Sequence, residues 1–188
     1  MDDVFGILKY FRFRIPFCAC LALTLGTGCA HLPRVAKTSE THSLCAALTS
    51  LDPSVNAREA EKVAECAYNY SRVLADRYRV VRPPLFHNFL VNSGFKQRGL
   101  CYEWAEDLLA QFRTLHFESL QLRWGIARAN TSREHNCIVI TAVGHPFKSG
   151  IVLDAWRHSG RLSWSPVAID KYPWVEGQLD PSPPVPTQ

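Results

Sequence analysis

The chain carries no dense run of one charge. Its 21 Lys and Arg against 17 Asp and Glu give a net charge of only +4, and the one basic cluster, Lys9, Arg12 and Arg14, lies near the start. Nucleic-acid partners need basic groups gathered on one surface, so none is expected. No C-x-x-C occurs, and the Cys and His spacings match no structural zinc site. Neither a metal nor another cofactor is expected. No internal repeat is visible, which argues against a solenoid. The apolar segment Ile15 to Thr27 falls short of the roughly 20 residues that a membrane-spanning helix needs.

That segment, preceded by the basic cluster, has instead the form of a secretory signal peptide over residues 1–28. It ends in Leu25-Gly26-Thr27-Gly28-Cys29, which resembles a bacterial lipobox, although Gly26 stands where a leucine is usual. The resemblance implies cleavage before Cys29 and its lipidation. The expected location is the bacterial cell envelope, with a membrane-anchored lipoprotein facing the periplasm or the exterior. An ordinary signal peptide or a retained anchor are the alternatives. Residues 29–43 read as a tether, 44–175 as one folded domain and 176–188 as a proline-rich flexible tail. Export implies an oxidising compartment. Four cysteines would remain in the domain, and they allow three pairings. Cys45 with Cys66 is the expected disulfide, which leaves Cys101 free.

The periodicity predicts an α+β fold, with helices first and an antiparallel sheet after them. A short helix is expected from Leu44 to Leu51. A long one follows Asn56, which reads as an N-cap with Glu59 as its reciprocal partner, and buries Ala60, Val63, Ala64, Ala67, Tyr70, Leu74 and Tyr78. Pro83-Pro84 starts a third helix with Leu85, Phe86, Phe89 and Leu90 as its apolar side, closed by Asn92-Ser93-Gly94. The fourth begins at Cys101, with Trp104, Ala105, Leu108, Phe112 and Leu115 on one face. After Leu115 the period becomes two. Strands are expected at Leu120 to Ile126, His135 to Val143 and Ile151 to Asp154, with a hairpin leading into Arg161-Leu162-Ser163-Trp164.

Three residues on these elements point to chemistry. Cys101 opens a helix behind Gly99, near unpaired N–H groups and the positive dipole end, a place that favours a thiolate. His135 heads a strand and Asp154 ends the next one. Cysteine, histidine and aspartate in such contexts supply a nucleophile, its base and the group that orients the base. A cysteine on an apolar helix face is also an ordinary core residue, and the ordered trio is what weighs against that reading. Gln97 is a candidate side-chain donor to an oxyanion, beside the backbone N–H of Cys101. Trp104 and Trp156 read as packing, and Glu103 and Glu106 as solvated helix residues.

The run Gly99-Leu100-Cys101-Tyr102-Glu103-Trp104-Ala105, His135 at a strand head and Asp154-Ala155-Trp156 together resemble the transglutaminase-like branch of the papain-like cysteine hydrolases. The similarity covers roughly residues 56–165 and extends to bacterial lipoproteins of this type. It implies a papain-like core with the nucleophile at a helix N-terminus. The implied activity is thiol-dependent acyl transfer on a peptide or carboxamide bond, by a peptidase, an amidase or a cross-linking enzyme. The implied catalytic residues are Cys101, His135 and Asp154, and the implied partner is a peptide or protein amide, with peptidoglycan as one candidate. Cys137 departs from the family, which often has an aromatic residue there. The alternatives are a non-catalytic envelope binding or assembly lipoprotein and a peptidoglycan amide hydrolase.

Overall fold

A computed structural model describes residues 38–179. The expected signal segment, the expected lipidation position Cys29 and the chain beyond residue 179 lie outside them. The described residues form an α+β domain with helices α1 (Thr38–Thr49), α2 (Ala57–Arg77), α3 (Pro84–Asn92) and α4 (Cys101–Arg113), followed by strands β1 (Leu120–Ala127), β2 (His135–Ala142), β3 (Ile151–Asp154), β4 (Ser163–Pro166) and β5 (Trp174–Gly177). The strands make one sheet in the order β4-β3-β2-β1-β5, with every neighbouring pair antiparallel. None of the described helices is long and apolar enough to cross a membrane.

Alternation along the strands divides the core in two. Ile138, Ile140, Ala142, Ile151 and Leu153 meet Ala60, Val63, Ala67 and Leu74 of α2 and Trp104, Leu108 and Phe112 of α4. Cys137, Val139 and Val152 point to the other face, where Phe147, Val167 and Trp174 cover them. β2 is therefore buried along its whole length. This second layer comes from two short 3-10 turns, Phe147–Ser149 and Val167–Ile169, and from β5.

Several boundaries differ from those expected. α1 starts at Thr38, inside the expected tether, because Thr41, Leu44 and Leu48 recur at helical spacing and are all buried. β5 carries the domain to Gly177 rather than residue 175, and Leu179 still packs on the core. α3 forms where Pro83-Pro84 placed it, but its apolar side is not inside. Leu85, Phe86 and Phe89 are exposed, and the buried side chain is His87.

Asn56 caps α2 as expected, its Oδ1 accepting from the Arg58 N–H at 2.9 Å. Glu59 does not complete a capping box. It accepts instead from the N–H groups of Glu118 and Ser119 and from the Ser119 hydroxyl, at 2.9, 2.9 and 2.6 Å, while Ser119 Oγ accepts from the Asn56 N–H. The start of α2 is thereby stitched to the chain entering β1. Burial opposes ionisation of Glu59, but these donors outweigh it and hold the carboxyl below its ordinary value. Such a group stabilises the fold above its unfolded pKa and loses that contribution as pH falls through the folded one. Glu59→Ala should therefore cost about 1–3 kcal/mol at neutral pH in urea unfolding. The difference from the parent protein should shrink as the pH is lowered toward the Glu59 carboxyl's own titration.

Candidate functional site: a cysteine, a histidine and a buried carboxylate

The approach to Cys101 is held from several sides. Gly99 has φ +130°, and a Cβ built there would lie 2.2 Å from His87 Nε2. Glycine is required both by the backbone conformation and by that contact. His87 is buried and uses both ring nitrogens. Nδ1 accepts from the Val81 N–H at 3.2 Å, and Nε2 donates to the Arg98 carbonyl at 3.0 Å. Glu103 Oε2 accepts from the N–H groups of Gly99 and Leu100, at 2.6 and 2.9 Å, and Trp104 Nε1 donates to the Gly99 carbonyl at 3.0 Å. Arg98 donates to Asp107 at 2.8 Å. Glu103, expected in solvent, is thus only 7% exposed and serves as a clamp on the turn. Its carboxylate serves the residues ahead of the helix, and the first-turn N–H of Cys101 has no carbonyl one turn earlier in the helix to bond.

The fold brings together the three residues expected from the sequence. The Cys101 thiol is half-buried and donates to the Glu134 carbonyl at 3.7 Å, immediately before His135. His135 Nε2 donates to Asp154 Oδ2 at 2.7 Å. His135 Nδ1 is buried without a hydrogen-bond partner. The thiol nevertheless lies close enough to act on the ring. Burial disfavours the imidazolium, but Asp154 and then Cys101 outweigh it and raise the His135 pKa to about 9. His135 and Asp154 are 3% and 2% exposed. Behind the thiol, Cys137, Leu153 and Trp156 close a crevice with no room for a water molecule.

Two polar residues that sequence reasoning missed extend the set. Arg157 donates Nε to Asp154 Oδ2 at 2.9 Å, and its backbone N–H bonds Oδ1 of the same carboxylate at 3.0 Å. Its two Nη atoms reach Asp170 at 3.0 and 3.1 Å. Asp170 also accepts from Ser165 Oγ, the Tyr172 N–H and Trp174 Nε1. Burial pushes against ionisation of both carboxyls. The His135 and Arg157 contacts still lower that of Asp154, and Arg157 with Ser165 brings Asp170 to about 2. Around His135 stand Trp156, Tyr172 and Trp174, with ring centroids at 4.7, 4.8 and 5.3 Å. Trp156 is fixed by its Nε1 bond to Asn88 at 3.0 Å. The i,i+3 spacing of Asp154 and Arg157 was a local signal for the first of these pairs. Nothing local marked Asp170.

Other expected positions are not joined to this group. Gln97 is exposed on the approach to α4 and makes no hydrogen bond that fixes its amide toward the thiol. Cys45 and Cys66 are free thiols, not the expected disulfide. Cys66 lines a groove with Tyr70, Gln111 and Leu115, in which Cys45 takes no part, and burial raises its pKa to about 11. Cys137 is also free and 1% exposed, and burial pushes its thiol well above the ordinary value. Its sulfur leans across Gly125, its partner in β1, where a Cβ would come within 2.8 Å. Among the described residues, no three His, Cys, Asp or Glu side chains gather as a metal site.

Gly99→Ala should destabilise the protein by about 2–4 kcal/mol, from backbone strain and the displaced His87 bonds. Thermal unfolding checks the loss. The alkylation rate of Cys101 in the folded variant should change with it, because the same turn sets the helix start.

Comparison of the chain with protein-family models, with curated proteins and with solved structures gives no match.

Proposed function

We propose that the protein is a thiol-dependent acyl-transfer enzyme acting on a peptide or carboxamide bond in the cell envelope. The observation that carries this reading is the half-buried Cys101 thiol beside a histidine whose other nitrogen is bound to a buried carboxylate. The α+β arrangement, with Cys101 opening a helix and His135 opening a strand, is consistent with the resemblance to transglutaminase-like, papain-like hydrolases.

With its pKa raised to about 9, His135 holds the Cys101 proton on Nδ1 as an imidazolium while the sulfur attacks the carbonyl carbon as the thiolate. A C–S bond forms and the carbonyl electrons move to oxygen. The N–H of Cys101, free at the helix start, is placed to donate to that oxyanion, and the unattached amide of Gln97 is the second candidate donor. When the oxyanion collapses, the C–N bond breaks and the imidazolium protonates the leaving amine. Water, deprotonated by His135, then cleaves the thioester and restores the thiol. An amine in place of that water would give cross-linking by the same steps. Asp154 holds Nε2–H and so leaves Nδ1 to face the sulfur. The closed crevice behind Cys101 leaves no deep pocket, which favours an exposed peptide segment over a small enclosed substrate. The signal segment and Cys29 support a lipoprotein anchored in the envelope, with peptidoglycan amides among the candidate substrates. The non-catalytic binding reading has no specific observation in its favour.

Cys101→Ala should reduce amide hydrolysis by at least about a thousandfold while leaving circular dichroism and melting temperature nearly unchanged. Retained turnover would reject the mechanism. In the parent protein, activity should decline above about pH 9, as His135 loses its proton. The shift has a defined sign, because Asp154 supports the charged ring. Asp154→Asn should therefore move the alkaline limb to lower pH as well as lowering kcat, which a pH–rate profile would read directly.

A further inference from the structure

The turn after β3 borders a second cavity, of about 290 Å³, lined by Arg82, Pro83, Pro84, Arg157, His158, Ser159 and Arg161. No acidic side chain lines it. Arg82 and Arg161 are exposed, and neither guanidinium has a hydrogen-bond or ion-pair partner among the described residues. Arg157 is the inner wall. A guanidinium has five N–H donors. Asp154 and Asp170 engage one on Nε and one on each Nη, so each Nη keeps a donor. Ser159 is buried and its Oγ is unpartnered, although most buried hydroxyls find a partner.

The turn is firmly placed. Ser159 has a left-handed φ of 52°, its N–H bonds the Trp156 carbonyl at 2.9 Å, and Gly160 packs directly on Ala75. Such a backbone conformation is costly for a non-glycine residue unless its surroundings enforce it. The electrostatic environment agrees with the cavity's composition. His158 is held below its ordinary pKa by burial first, and then by the positive charges of Arg161 and Arg157.

We propose that this cavity binds an oxyanion, the carboxylate or phosphate group of a small ligand. Arg82 and Arg161 close on it from the outside. The remaining donors of Arg157, and the Ser159 hydroxyl after rotation about its side-chain bond, meet it from within. Planar guanidinium groups match the geometry of both anions and lose little on desolvation compared with lysine. The site is separate from the thiol chemistry but shares a residue with its support. An anion there sits against the guanidinium that also holds Asp154.

The test uses the full-length protein carrying Cys101→Ala, so that its outcome is independent of turnover. The His158 ring signals, assigned with a His158→Gln variant, are followed by NMR at constant ionic strength. Inorganic phosphate is titrated in one series and acetate in another. Saturable shifts are expected, with the His158 pKa rising as negative charge enters. The series that saturates at the lower concentration identifies the anion class. Arg82→Gln with Arg161→Gln should weaken binding at least about tenfold, since each removes charge-assisted hydrogen bonds. Arg161→Gln alone provides a second, milder variant. Both positions are exposed, so the circular dichroism spectrum should not change. Shifts that merely follow chloride, or equal affinity in the parent and the double variant, would overturn the proposal.

Discussion

The Asp154 carboxylate governs the rest of the site. It is 2% exposed, and an isolated charge so placed would neutralise itself. Here it stands between His135 and Arg157, and Arg157 stands in turn between Asp154 and Asp170. The signs alternate along this row, so each buried charge has an opposite neighbour. The geometry is equally constrained. One carboxylate takes Nε2 of the histidine, the guanidinium Nε and the Arg157 backbone N–H, which fixes the ring against rotation. Burial opposes the charged form of His135, and the raised pKa comes from Asp154 and then from Cys101 at the other side of the ring. Removing Arg157 would therefore leave two buried carboxylates short of a partner, a disruption that typically costs about 3–5 kcal/mol.

The Cys101 thiol, the proposed nucleophile, is fixed by a different part of the chain. Cys101 belongs to the helical half, whereas His135 and Asp154 belong to the sheet. Their meeting depends on how α4 lies on β2, with Trp104, Leu108 and Phe112 packed against Ile138, Ile140 and Leu153. It depends also on where α4 begins. Glu103, Trp104 and His87 act on the Gly99 turn from three directions, so the helix cannot start one residue earlier or later without breaking buried bonds. These interactions are polar and directional. They specify position more than they add stability.

Much of this was legible in the sequence because it is local. The switch from a period near 3.6 to a period of two separated helices from strands, and Asn56 and Pro84 marked helix starts. Cys101, His135 and Asp154 could be found because each stands at the end of an element. What was not legible depends on contacts between distant segments. Leu85, Phe86 and Phe89 form a fair amphipathic pattern, yet His87 is the buried residue because it bonds a turn eleven residues away. Glu59 sits at capping-box spacing, but Ser119 and its neighbours compete for the carboxylate from 60 residues away. Asp170 follows an unpatterned stretch and acquires its role only through Arg157. The Cys45–Cys66 expectation came from counting cysteines, and counting carries no information on which side of α2 a thiol faces.

The buried charges also bear on the choice between catalysis and binding. Replacing a buried ion pair with apolar side chains of similar volume is often neutral or stabilising. A protein needing only a stable binding surface would gain little from carrying His135, Asp154, Arg157 and Asp170 in sequence through its interior. The row ends, moreover, beside a half-buried thiol and not at another structural group. His135 Nδ1 is left without a hydrogen-bond partner at that end, a costly state for a buried ring nitrogen. A reacting sulfur or its proton would satisfy it. With its pKa raised to about 9, the ring carries that proton at neutral pH and faces the sulfur with it, which agrees with the proposed pairing of the two groups.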